Sequence, residues 1–212
     1  MSPDEILPLF SGPDGAYHFA RWRRPIAPVV FGVSDETLGV IRGAIAAVAG
    51  LAGHPLAETD PEQGANLMIF FFRDWAELLA LPDLGALVPG LPDLVGRLQA
   101  EGADQYRYFR FEADGAIRAC FAFLRMQGPL AEQAADALAL RLAVQVVLLW
   151  SDAALRDRAP LARAEGVVVL RPEMAALIRA AYDPVLPTVT HDPSHALRLA
   201  ARITAAGGRD SC

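Results

Sequence analysis

The sequence predicts an α+β domain, with a mixed and mostly antiparallel sheet packed on a long buried helix and followed by C-terminal helices. Three stretches carry that expectation. Residues 65–72, ANLMIFFF, form a short continuously apolar run bounded by Gly64 and Arg73, which reads as a central strand. Residues 106–112 and 116–125 are strand-like and joined through Asp114-Gly115, a hairpin signal. Residues 129–152, PLAEQAADALALRLAVQVVLLWSD, are apolar on every side over 138–150 except at Arg141 and Gln145. A helix hydrophobic all round is a buried helix, and helices segregated from antiparallel strands make an α+β architecture.

In chain order, residues 1–16 hold three prolines and two glycines with little periodicity and are expected to form an arm. Residues 25–33, PIAPVVFGV, read as a strand whose prolines push it toward a sheet edge. Ser34 is a fitting N-cap for a helix over 35–49, with Asp35 and Glu36 at its positive end and Gly50 as its stop. Asp74 is placed to cap a short helix over 75–81. LPDL at 81–84 and again at 91–94 opens two helical pieces, with Pro92 at a first helical position. Beyond the central helix the polar stretch to residue 163 reads as a loop or short helix, and 166–170 as a small strand. Residues 172–182 read as a helix, and so do residues 194–206, which Gly207-Gly208 ends. One domain over 17–206 is expected, with a tail over 207–212.

Composition narrows the function classes. Hydrophobic residues make up 53% and charged residues 21% of 212, so the chain is globular. A net charge of -6 with scattered arginines argues against nucleic acid, which needs a concentrated basic surface. The local cluster Arg21, Arg23 and Arg24 reads as solvated charge leading into a strand. Cys120 and Cys212 give no disulfide framework, and Cys120 reads as core. The apolar stretch 138–150 is shorter than the ~20 residues a membrane span requires. The expected location is cytoplasmic, or periplasmic if a leader has been removed.

No G-x-S-x-G elbow and no glycine-rich phosphate loop is present, and carboxylate pairs such as Asp60 with Glu62 sit in polar segments where solvation explains them. His191 and His195 have the spacing of zinc ligands, but Asp192-Pro193 between them puts His191 before the helix start. The plain reading is a helix cap with two exposed histidines; His18 and His54 read the same way. The buried stretch remains. At about 100° per residue, Gln133, Ala137, Arg141, Gln145 and Asp152 fall near one line. A buried Arg must have an acidic partner, reach water or hold an anion.

At this stretch the chain resembles an uncharacterised bacterial family, a domain of unknown function whose members resemble zincin metallopeptidases. That family's helix carries Cys-x-His-Glu-Glu-x-x-Gln, then Ala-Leu-Gly and Asn-Asp. Setting Gln145 on the family's Gln brings Ser151-Asp152 onto its Asn-Asp. Arg21-Trp22 through Val30 is similar to its entry strand, Ala65-Asn66-Leu67 to its Ala-Asn strand, and residues 170–190 to its helix ending in Leu-Tyr-Asp-Pro. The resemblance implies a zincin-like fold. The family's His falls on Leu140 and its Glu on Arg141, so the metal ligand and the residue that activates metal-bound water are both replaced.

The expectation is therefore a non-catalytic zincin-like domain without a cofactor. Arg141, Gln145 and Asp152 would bind a peptide or small anionic ligand. A metal-dependent hydrolase using His191, His195, Asp152 and Glu173 is the alternative. A third reading is a structural or subunit-interaction module with an apolar patch over residues 81–95.

Overall fold

The structure, a computed structural model, describes residues 1–155 and 159–207. Ser2 and Glu5 form a capping box at α1 (Pro3–Ile6), and a 3-10 turn, Leu7–Phe10, continues it. Ile6, Leu9 and Phe10 are buried in the main core. The N-terminal arm is thus docked rather than loose, because its apolar residues gather on one side of the turn and leave water together.

Strand β1 (Phe19–Ala20) leads to β2 (Pro28–Phe31) and then to α2 (Asp35–Leu51), where Ser34 Oγ accepts the N–H of Thr37 at 3.4 Å. Next come β3 (Leu67–Phe72) and a 3-10 segment, Trp75–Ala80, capped by Asp74 and Glu77. Two helices follow, α3 (Leu84–Leu87) and α4 (Leu91–Ala100). The hairpin consists of β4 (Gln105–Phe111) and β5 (Ile117–Arg125). Its turn uses Gly115 at φ 88°, with Asp114 Oδ1 accepting the N–H of Ala116 at 3.1 Å.

The main sheet has the order β2-β3-β5-β4, parallel at β2–β3 and β3–β5 and antiparallel at β4–β5. This corrects the expected antiparallel bias for the main sheet. A helix lies between β2 and β3, and a strand–helix–strand crossover returns the chain in the same direction. The short pairs β1 with β8 (Val189–Thr190), and β6 (Leu161–Ala164) with β7 (Val167–Leu170), are antiparallel. The β6 strand arises in the stretch expected to be loop or helix.

Residues 129–152 do not form one long helix. They divide into α5 (Gly128–Ala131) and α6 (Ala135–Val147), after which Leu148 is extended at φ -137°, ψ 158°. The helix stops because the next main-chain donors are taken from outside it. Leu149 N–H goes to Ala20 O at 3.0 Å and Ser151 N–H to Leu9 O at 2.8 Å. α6 is buried from Leu138 and Ala139 onward on its inner side, against α2. The longer helix is α2.

Alternation along the central strands separates two cores. Leu67, Ile69, Cys120, Ala122 and Leu124 face α2, α6, α7 (Pro172–Ala181) and α8 (His195–Gly207). Phe72, Ala119, Phe121 and Phe123 face α3, α4 and the 3-10 segment. Leu84, Val88, Leu91 and Val95 fill that second core, while Leu81 is 40% exposed. Cys120 is in the core as expected, and burial pushes its thiol up to about 12. Gly208 and the rest of the C-terminal tail, including Cys212, lie outside the described residues. None of the described helices is long and apolar enough to cross a membrane.

Candidate functional site

Arg141, Gln145 and Asp152 line one cleft of about 440 Å³ at the β4 edge of the sheet. They do not form a helical stripe, since α6 ends at Val147 and Asp152 lies in the turn that follows the extended residues after it. Leu149, Trp150 and Leu155, after α6, complete one wall, β4 forms the floor, and Arg97 and Leu98 of α4 with its C-cap Glu101 form the other wall. Trp150 is held by its Nε1–H, which donates to Val144 O at 2.8 Å.

Within the cleft the polar groups are unevenly satisfied. Gln145 is 4% exposed, and its side-chain amide makes no hydrogen bond to another described residue. Arg141 is half-buried, and among the described residues its buried Nε has no acceptor and no carboxylate lies within 4.0 Å of its guanidinium. Asp152 stands exposed at the mouth. Arg97 is placed differently, 3.9 Å from Glu101 and over the Tyr106 ring at 5.7 Å.

The floor is an edge strand. Arg125 N–H donates to Asp104 O at 2.8 Å, and Cys120 N–H donates to Asn66 O at 2.9 Å on the β3 side. With Phe109 opposite Cys120, this register turns the main-chain groups of Gln105, Arg107 and Phe109 outward. Those of Gln105 and Phe109 bond no other described residue. Phe109 packs toward the α6 side, whereas Tyr106 and Tyr108 pack toward α4.

The histidines depart from the expected exposed pair. His195 is fully buried, with Nδ1 2.9 Å from the Tyr17 hydroxyl and its ring 4.4 Å from that of Phe19. Burial, aided by Arg198 and Arg21 and opposed by Asp192, lowers its pKa to about 4. The Tyr17 hydroxyl is pushed up by burial and by Asp192. His191 is exposed, and Glu173 lies 3.9 Å from Arg171. The described residues contain no group of three or more His, Cys, Asp or Glu placed to share a metal ion. His54 is also committed, its Nε2 lying 2.9 Å from Arg24 O.

Arg21, Arg23 and Arg24 are not simply solvated. Arg21 is 9% exposed and donates to Leu186 O at 3.1 Å with its guanidinium over Tyr182. Arg23 pairs with Asp114, and Arg24 joins Asp60, Glu62 and Glu112. Burial would raise the Asp60 pKa, but the N–H groups of Glu62 and Gln63, with Arg24 and Asn66, hold it below the usual carboxylate range. A wider cavity over this network, about 740 Å³, is lined by charges that already have partners. Arg141 is the contrasting case.

Sequence reasoning missed the contribution of β4 to the cleft. Its pattern QYRYFRF, with polar or charged residues interleaved among aromatics, was the available sign of an edge strand. Comparison with known proteins finds no matching family model, no matching curated protein and no matching solved structure.

Proposed function

We propose that this chain is a non-catalytic, zincin-like domain that binds a peptide or small anion in the cleft between β4 and α6. The observation that carries this reading is Arg141, a half-buried guanidinium on the cleft wall whose Nε has no acceptor among the described residues, with the buried Gln145 lining the same cleft. A partly desolvated cation without a counter-charge is costly, and a ligand carboxylate that supplies one recovers that cost. A carboxylate meets a guanidinium through two parallel hydrogen bonds, and the Gln145 amide offers a donor and an acceptor to a neighbouring peptide group.

An extended peptide suits the site better than an isolated anion. Strand addition to β4 gives it main-chain bonds at Gln105 and Phe109. Successive side chains then turn alternately toward Arg141 and Gln145 and toward Tyr106 and Tyr108, so an acidic residue flanked by apolar ones fits. Hydrolysis finds no support in the residues. Leu140 offers no metal ligand, and Arg141 repels a cation where the family resemblance would place an activating Glu.

The test is an array of labelled hexapeptides with one Glu moved along a Val/Thr background, read by fluorescence anisotropy. Glutarate and inorganic phosphate serve as competitors. Glu members should bind about tenfold or more tightly than their Gln counterparts, and N-methylation of alternate amides should abolish binding in one register only. If glutarate binds and no peptide does, the strand is wrong and the anion stands. If neither binds, the proposal fails.

A further inference from the structure

The ring centres of His18 and His191 are 4.5 Å apart, in a setting that neither histidine's position in the sequence suggests. The β1–β8 register pairs Phe19 with Thr190 and Ala20 with Val189, so His18 stands directly opposite His191 one step further along. Arg21 N–H donates to Thr188 O, which makes Phe19 with Thr190 a hydrogen-bonded pair and His18 with His191 a non-hydrogen-bonded one. That is the position where cross-strand side chains approach most closely. In agreement, His18 N–H points away from β8 and donates to Phe10 O at 2.8 Å.

The two rings differ from the other histidines in what they leave available. Nδ1 of His195 is occupied by Tyr17, and Nε2 of His54 by Arg24 O. Neither His18 nor His191 makes a ring hydrogen bond to another described residue, and His191 is exposed. The nearby Asp192 carboxylate is engaged by the Ser194 hydroxyl at 2.6 Å and by Arg198 at 3.6 Å.

We propose that His18 and His191 form a two-imidazole site for a divalent copper or nickel ion, completed by water. A metal about 2.0–2.1 Å from one nitrogen of each ring lies about 3.2 Å from each ring centre, and a bite angle near 90° then separates the centres by about 4.5 Å. The observed separation of the ring centres, 4.5 Å, brings both imidazoles within the reach of one ion. The general affinity order of imidazole sites places copper above zinc and nickel. With no third protein ligand among the described residues, the ion would exchange readily and keep open positions. Magnesium and calcium, which take oxygen ligands, are not suited.

The test is titration of the full chain with CuCl₂, NiCl₂ and ZnCl₂ by calorimetry, with electron paramagnetic resonance on the copper sample. One equivalent of Cu²⁺ should bind with hyperfine structure from two nitrogens, Zn²⁺ should bind more weakly, and His191→Ala and His18→Ala should each weaken Cu²⁺ binding about tenfold or more. His191 is exposed, so its variant keeps the test valid if His18→Ala fails to fold. Cu²⁺ binding that both variants leave unchanged would place the ion elsewhere and overturn the proposal. So would the absence of binding at about 1 mM metal.

Discussion

The hydroxyl of Tyr17 meets Nδ1 of His195 at 2.9 Å inside the core, joining the segment before β1 to the first turn of α8. His195 is fully buried and its Nε2 has no partner among the described residues, so protonation would place a poorly compensated charge among Phe19, Tyr17 and Arg21. Above the unfolded pKa of about 6.5 both states are neutral at this ring and it adds no pH dependence. As pH falls, the unfolded chain takes up a proton that the folded chain refuses until about 4. Stability should therefore decline between those values, by up to about 1.4 kcal/mol per pH unit from this group. Nuclear magnetic resonance of the His195 Cε1 proton checks it directly. Titration near 6.5 would contradict the buried neutral ring.

Tyr17→Phe removes the hydroxyl and leaves Nδ1 buried and unsatisfied. A loss of about 1–3 kcal/mol in chemical denaturation is expected. A neutral result would mean that water or another group replaces the hydroxyl.

Gly32 follows β2 at φ 82°, and a Cβ built there would overlap the carbonyl oxygen of Phe71 on β3. The obstacle is backbone, which cannot turn aside. Gly32→Ala should cost about 3 kcal/mol or more, from the left-handed conformation and the forced separation of the strands. Gly15, also at positive φ but with nothing near its Cβ position, should lose less when changed to Ala.

Leu142, 2% exposed on α6, packs in the main core. Leu142→Ala should destabilise by about 2–5 kcal/mol through lost burial and the cavity left behind. A cost below about 1 kcal/mol would mean that α6 is not the packed element described.

Much of this architecture was legible in local chemistry. Ser34 with Asp35 and Glu36, Asp74, and Asp114-Gly115 each mark a boundary that depends only on nearby residues, and each stands where expected. What was not legible depends on distant partners. The end of α6 is set by Ala20 and Leu9, which capture the main-chain donors of Leu149 and Ser151. The parallel direction of β3 follows from how α2 crosses the sheet, which composition does not encode. His195 reads as a surface cap residue until the Tyr17 hydroxyl is brought to it from the other end of the chain. For the cleft, Arg141 and Gln145 were visible as polar interruptions of an apolar helix, whereas the β4 wall needed the sheet order.

The most direct test of the account is Arg141→Met, measured for both stability and ligand affinity. A guanidinium kept without a partner among the described residues adds little to the fold, so melting temperature should stay the same or rise. Affinity for the best Glu-containing hexapeptide should fall about tenfold or more. A melting temperature lowered by several degrees together with unchanged affinity would mean that Arg141 serves the fold, and the cleft would lose its claim as a binding site.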